Sequence, residues 1–379
     1  MAWSIEGGEA LIDGALRRAD VALAASRIAP QASSDALRFD AVGLLVLPGL
    51  VDIHGDAHER QMQPRPGVAV PPGLALRDSA AQLLAAGITT AFLGVTLSWE
   101  PGLRGIEAWR QTLATVAEAR AVAGVDLRIH CRFEADNLDA LEELLADIAA
   151  GRVQLLAYND HTPGIMKRLS DAKQVAKYAG RCGIAPAAFV ALAEQAWARR
   201  AEVPAARLRL SEAARAAGIP MLSHDDATIA MRQEFRALGA AICEFPMAED
   251  VAAEARAAGE HVVMGAPNVV RGGSHLGWSA AAPLAERGLV TVLASDYVWP
   301  TMAEAAFVLA GRGVLDLAAS WALISANPAA ATGLLDRGRI APGLRGDVVV
   351  VDPATRAPVA TFAAGRLAWL SPLGAARLG

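Results

Sequence analysis

His54, Asp56 and His58 fall at alternate positions after the run Leu47 to Ile53, with Glu59, Arg60 and Arg65 close behind. Alternate residues of a strand point to one side, so the spacing predicts that His54 and Asp56 converge on one point if the strand reaches that far. Neutral imidazole and carboxylate oxygen are both good ligands for zinc, iron or manganese, so the chemistry such a pair can do is to hold a divalent ion. The bland counterpart is a strand running into a polar loop, since short His-x-Asp strings also arise by chance.

The elements that would carry further donors follow in a regular alternation. After the strand ending at His54, Ser79 to Ala86 has apolar residues at helical spacing and stops at Gly87, and ITTAFLGV reads as a buried strand. Leu127 to Glu134, Val153 to Tyr158, IPMLSH ending at His224, Ala241 to Glu244, Val262 to Gly265 and Val290 to Asp296 complete eight apolar strands. Helical stretches lie between them, the clearest being LDALEELLADIAA and Ala185 to Arg200. That pattern predicts a (β/α)8 barrel, whose active site lies at the C-terminal ends of the strands. His54, Glu134, Asp160 with His161, His224, Glu244 and Asp296 each close a strand, where a barrel would need its chemistry.

Both ends of the chain differ from this middle. Residues 1–47 read as short strands (Ala10 to Ile12, Val21 to Leu23, Leu44 to Leu47) with GG and DG turns between them, and residues 337–379 return to strands and turns. The two ends are expected to pair into one small β-sandwich domain beside a barrel spanning 48–336. The chain is long enough for that division at 379 residues, and 54% hydrophobic against 20% charged residues supports a large core and excludes general disorder. A net charge of −5 excludes a broad nucleic-acid surface. Cys131, Cys182 and Cys243 are scattered without CxxC spacing, which fits a reducing compartment and gives no support for a disulfide framework or a thiolate zinc site. Neither a signal peptide nor an apolar span of about 20 residues is visible, so the expectation is a cytoplasmic protein with no membrane partner, and a homo-oligomer is compatible with it.

On this frame His54 and Asp56 would bind metal from the first strand, His224 from the fifth and Asp296 from the eighth. Asp296 has a second role within reach, taking the proton from an attacking water. Alternation puts His130, Arg132 and Glu134 on one face, which makes Glu134 a bridging or second-metal candidate, with His161 beside it. The loop GAPNVVRGGSH offers backbone donors and the side chains of Asn268, Arg271, Ser274 and His275, all suited to phosphate oxygens. Arg65, between Pro64 and Pro66, is an arginine of restricted backbone that could serve an anion. A serine nucleophile finds no support: Ser223 precedes His224, but there is no GxSxG elbow, and no Walker or dinucleotide fingerprint either.

LPGLVDIH, the Asp after the eighth strand and NPAAATGLLDRGRIAPGLRGDVVVVD resemble the amidohydrolase superfamily of metal-dependent hydrolases. Within it, PRPGV at 64–68, NDHTPG at 159–164, SHDDAT at 223–228, EFP at 244–246, MGAPNVVRGGSH at 264–275 and ASDY at 294–297 are similar to a diphosphatase branch of carbon–phosphorus lyase catabolism. The resemblance extends over nearly the whole chain. It implies hydrolysis of α-D-ribose 1-methylphosphonate 5-triphosphate to the 5-phosphate and pyrophosphate, with metal-activated hydroxide attacking the α-phosphorus. It also implies one or two divalent ions, zinc first, with iron or manganese as alternatives, and arginines such as Arg271 and Arg65 on the phosphoryl oxygens.

Two departures stand out. The superfamily commonly carries His-x-His on the first strand and often a carboxylated lysine on the fourth; here the first motif is His54-x-Asp56 and no lysine ends the fourth strand. The bridging role then falls to Glu134, with Asp160 or His161 as alternatives. DAHERQ at 56–61 also differs from that branch, leaving His58 as an extra ligand or a substrate contact. The same barrel and metal set would equally suit hydrolysis of a C–N bond, and a barrel without metal would be a binding scaffold.

Overall fold

The computed structural model describes residues 2–65, 67–273 and 279–379. Its centre is an eight-stranded parallel sheet: β1 (Leu50–Gly55), β2 (Ile88–Leu97), β3 (Asp126–Glu134), β4 (Leu155–Asn159), β5 (Met221–His224), β6 (Ile242–Glu244), β7 (His261–Gly265) and β8 (Val292–Ala294). Each strand pairs with its neighbour in sequence. The ring closes through a parallel bridge between Gly55 and Asp296, in which the Asp296 amide donates to the His54 carbonyl and the Asp56 amide donates to the Asp296 carbonyl, both at 2.9 Å. This is the predicted (β/α)8 architecture.

The barrel interior is filled by Val51, Ile53, Phe92, Leu155, Ala157, Leu222, Ile242, Val263, Val292 and Ala294, contributed by seven of the eight strands. The exception is β3, whose alternate residues His130, Arg132 and Glu134 are all buried and polar. One strand therefore carries polar side chains through an otherwise apolar interior toward its C-terminal end. The outer faces of the strands pack on the helices through a larger core that includes Leu83, Trp109, Leu144, Leu210 and Trp321.

β1 does not run as a plain alternating strand. Its register against β2 shifts between Asp52 and Gly55. A register irregularity re-aims side chains, and here Ile53 packs in the barrel interior while His54, its neighbour, comes within 5.3 Å of the His130 ring centroid. Buried Asp52 holds the seam: it accepts from the Ser295 amide at 3.1 Å, the Ser295 hydroxyl at 2.5 Å and the His54 amide at 3.3 Å. Gly55 is required by space, because a Cβ there would lie 2.6 Å from Asp52 Oδ2 and 2.8 Å from Ser295 Oγ.

The chain ends form two small sheets. Trp3–Glu6, Val21–Ala24, Arg27–Ala29 and Leu37–Asp40 make one, and Glu9–Ile12, Ala15–Arg18, Leu45–Pro48, Val348–Val351, Pro358–Ala363 and Arg366–Leu370 the other. The N- and C-terminal segments meet where Leu47 pairs antiparallel with Val349. The two sheets share a core of Trp3, Ile5, Phe39, Val46, Val350 and Phe362. Ala15–Arg18, which sequence reading passes over, is exposed along its length and is a strand only because it pairs with Glu9–Ile12. Among the described residues no helix is long and apolar enough to cross a membrane.

Candidate metal centre

The C-terminal rim of the barrel is where the backbone is most unusual. Asp225, Phe245 and Asp296, which directly follow β5 and β6 and come two residues after β8, have φ of 59°, 53° and 54°. Non-glycine residues in this left-handed region are costly and cluster where function over-determines the geometry. Phe245 inserts its ring against both His54 and His224, with centroids 4.9 and 5.5 Å away, and those two imidazoles lie parallel, 5.6 Å apart.

Among the described residues, three sets of donors have atoms close enough to share an ion: His54, His130 and Glu244 below the rim; His54, Asp56 and Asp296 at it; and His161, His224 and Asp225 beside it. Charge and tautomer can be worked out for several of them. His130 Nδ1 lies 3.0 Å from the Ile53 carbonyl, which can only accept, so Nδ1 carries the proton and Nε2 is a bare lone pair. Burial holds this imidazole down to about 3, so it is neutral. His130 Nε2 is buried without a hydrogen-bond partner among the described residues, whereas His54 Nδ1 and Glu244 Oε1 stand 2.8 Å apart and pair with each other. Imidazole nitrogen and carboxylate oxygen are donors that a divalent cation takes, and His54, Asp56 and Asp296 bring one imidazole and two carboxylates within reach of a single ion at the pocket. The donor chemistry therefore fits a metal ion.

His224 is held from both sides. Its Nδ1 is 2.7 Å from Glu244 Oε2, and its Nε2 is 3.1 Å from an Arg132 terminal nitrogen. A guanidinium only donates, so Nε2 accepts and Nδ1 donates to Glu244. Glu244 thus faces both rim histidines, one oxygen to each. Burial pushes its carboxyl up, but the charges and hydrogen bonds of His54 and His224 prevail and hold it well below the usual carboxylate range. For His54 the balance is reversed in sign: burial, the largest cause, pulls it down, and the charge and hydrogen bond of Glu244, with Asp56 adding, together outweigh it and raise it.

Asp296 and Asp56 face a pocket that His54, Arg132, His224, Asn268, Arg271 and Tyr297 also line. Burial is the main cause that raises the Asp296 carboxyl, to about 6, with Asp56 adding to it and His54 and Arg132 opposing. Gly265 leaves that carboxylate its place, since a Cβ would lie 3.3 Å from Asp296 Oδ2. Arg271 donates to the Tyr297 hydroxyl at 3.2 Å, and Asn268 Oδ1 accepts from the Ala281 amide at 2.9 Å, which leaves the Asn268 NH2 as its remaining donor. Arg60 donates to the Tyr297 carbonyl at 2.6 Å and so ties the segment after β1 to the one after β8.

Other expected residues lie differently. Glu134 joins none of the donor sets among the described residues. Its Oε1 accepts from the His161 amide at 2.5 Å and the Thr162 amide at 3.3 Å, and its Oε2 lies 2.9 Å from His161 Nδ1. Both oxygens of Glu134 are thus taken by the His161–Thr162 segment, which fixes the orientation of His161. Asp160 is turned away and held by Arg200 and Arg207. Arg65 is exposed, bridges to Val68 through its backbone and is not part of the pocket lining. His58 opens a short helix, His58–Met62, and is buried outside the pocket lining with Nδ1 unpaired among the described residues. Ser274 and His275 lie outside the described residues. Asp225 and the paired role of Glu244 escape sequence reading; the SHDDAT and EFP strings hold both residues, but nothing in them shows which way the backbone turns.

Comparison with known proteins places this geometry. A family model described as the amidohydrolase family matches residues 55–368. The chain belongs to the amidohydrolase family. It is 35% identical over 320 residues to the alpha-D-ribose 1-methylphosphonate 5-triphosphate diphosphatase of Escherichia coli (strain K12), covering 82% of this chain and 84% of that protein. Among solved structures, molinate hydrolase superposes with a TM-score of 0.65 at 16% identity, covering 97% of this chain and 94% of the other. N-isopropylammelide isopropylaminohydrolase from Burkholderia multivorans gives 0.65 at 20% identity, with 97% and 98% covered. These structural likenesses establish the amidohydrolase fold of the chain.

Proposed function

We propose that this amidohydrolase is a metal-dependent diphosphatase that cleaves α-D-ribose 1-methylphosphonate 5-triphosphate to the 5-phosphate and pyrophosphate. The observation that carries the reading is the 35% identity over 82% of the chain to the Escherichia coli diphosphatase of that name. The site is compatible with it: two guanidinium groups, Arg132 and Arg271, line the same pocket as Asp56 and Asp296. A site for C–N hydrolysis has less use for two cations in addition to a metal.

His54, Asp56 and Asp296 would hold a divalent ion where it meets the pocket. Zinc, iron or manganese suits these nitrogen and oxygen donors. When bound, such an ion supplies Lewis acidity and lowers the pKa of coordinated water. The chain's own residues do the rest. Asp296, which burial raises to about 6 in the metal-free protein, is ionised at neutral pH, so its carboxylate can accept a proton from the attacking water. Arg132 donates from within the barrel and Arg271 from the rim, so negative charge on the phosphoryl oxygens would be met from two sides. Asn268 adds a neutral donor. Glu244 and Glu134 act one step back, holding His54, His224 and His161 in fixed orientations.

The reading is tested by incubating the purified protein with the ribose triphosphate and separating the products. Pyrophosphate in equal amount to the 5-phosphate, lost on treatment with a chelator and restored by added metal, is the expected result. Orthophosphate as the product, or turnover unaffected by the chelator, would reject it.

A further inference from the structure

Arg132 is a buried cation in the pocket lining, in contact with members of two of the donor sets. It rises along β3 beside Gly94 of β2, where a Cβ would lie 3.4 Å from Arg132 Cδ, so the glycine leaves room for the arginine stem. The residue is 7% exposed. One terminal nitrogen is 3.3 Å from Asp56 Oδ2, and the other is 3.1 Å from His224 Nε2.

The second contact is the informative one, because a carboxylate that meets Arg132 keeps a second oxygen for an ion, whereas an imidazole nitrogen has a single lone pair. His224 belongs with His161 and Asp225 to a set of donors close enough to share an ion. Its Nδ1 is taken by Glu244, so Nε2 is the nitrogen left to coordinate, and that lone pair already accepts from Arg132. A guanidinium stays charged and cannot withdraw by losing its proton. A divalent ion at this set would have to displace the hydrogen bond and sit against a like charge in a buried site, where Coulomb repulsion is poorly screened.

We propose that Arg132 is the built-in second cation of the centre: the His161, His224 and Asp225 set takes no ion in the native enzyme, and the Arg132 guanidinium supplies positive charge to the phosphoryl group there. This rests on the diphosphatase reading for its use but not for its test. The two cations then divide the labour. The ion at His54, Asp56 and Asp296 serves the water, and Arg132 offers directed N–H donors that suit phosphoryl oxygens better than they suit water activation.

The test counts ions. Wild type, Arg132→Ala, Asp225→Asn and the double variant are equilibrated with Mn2+, desalted and analysed for bound metal per chain, with circular dichroism to confirm folding. Arg132→Ala is expected to bind one more ion per chain than wild type, and the double variant to return to the wild-type value. Asp225→Asn alone is expected to match wild type, because the native enzyme has no ion at that set to lose. Equal metal content in wild type and folded Arg132→Ala, or loss of an ion in Asp225→Asn, would overturn the proposal. Should Arg132→Ala fail to fold, the Asp225→Asn result decides. Pyrophosphate release by wild type is measured in parallel: its absence would reject the diphosphatase reading, while the ion counts would still decide what occupies the second position.

Discussion

The Glu244 carboxylate lies 2.7 Å from His224 Nδ1, so a residue at the end of β6 sets the tautomer of the histidine at the end of β5. Its other oxygen stands 2.8 Å from His54 Nδ1. Removing the charge should therefore loosen both imidazoles at once. Glu244→Gln is expected to weaken metal binding by about 10–100-fold, the usual cost of losing such a support. Isothermal titration of the metal-free protein with Zn2+ would measure this. The same titration should show weaker binding as pH falls through about 6, because the Asp296 proton must then be displaced. An unchanged affinity in the variant would show that Glu244 neither binds nor orients.

Asp296 and Arg271 should separate in kinetics. Asp296→Asn keeps the shape and removes both the ligand charge and the base, so kcat should fall by at least about 100-fold. Arg271→Ala removes a charge-assisted donor worth about 1.5–3 kcal/mol, which predicts a KM raised about tenfold or more with a smaller change in kcat. Steady-state kinetics of the two variants, if they showed small and equal effects, would mean that the pocket is not the site of reaction.

The Glu134–His161 pair gives a signed pH dependence. Burial pushes Glu134 up, but the charge and hydrogen bonds of His161 outweigh it and hold Glu134 at about 2, below its ordinary 4.5. Burial pulls His161 down, and the Glu134 charge and the hydrogen bonds to Asp225 and Glu134 outweigh it, raising the imidazole from 6.5 to about 9. The depressed carboxyl contributes stability above about pH 4.5 and loses it as pH falls toward 2; the raised imidazole contributes below about 6.5 and loses it as pH rises toward 9. Wild type should thus exceed His161→Gln in melting temperature most between about pH 4.5 and 6.5, with the gap narrowing on both sides. Thermal melts across the range would show this, and a gap that stayed constant with pH would contradict it.

The seam between β1 and β8 has no spare room at Gly55. A Cβ there would meet Asp52 Oδ2 at 2.6 Å and Ser295 Oγ at 2.8 Å, both buried and bonded to each other. Gly55→Ala should therefore destabilise the fold by about 1–3 kcal/mol through overpacking, whereas Gly151→Ala, which meets no atom within 4 Å, pays only for its positive φ. Denaturant titration of both variants checks the difference.

Much of this was legible in the sequence because a barrel repeats one rule eight times. His54, His224 and Asp296 stood out as polar residues closing apolar strands, and the fold brings them to one rim. What stayed hidden depends on contacts across strands or on backbone hand. Glu244 ends a strand of three residues, too short to show which way it faces, and its reach to two histidines is a tertiary fact. Asp225 follows His224 directly, and only a left-handed turn at φ 59° returns its carboxylate to the site. Glu134 sits on the expected face, yet the peptide amides of His161 and Thr162 arrive first and take one of its oxygens. The prolines flanking Arg65 restrict its backbone without saying where its side chain points, and it lies exposed outside the pocket lining.

Water activated at this rim is expected to attack the α-phosphorus of a ribose triphosphate. Turnover in 18O-labelled water followed by mass spectrometry of both products tests it directly. One labelled oxygen in the 5-phosphate and none in the pyrophosphate is the expected result. Label in the pyrophosphate, or no pyrophosphate at all, would contradict it.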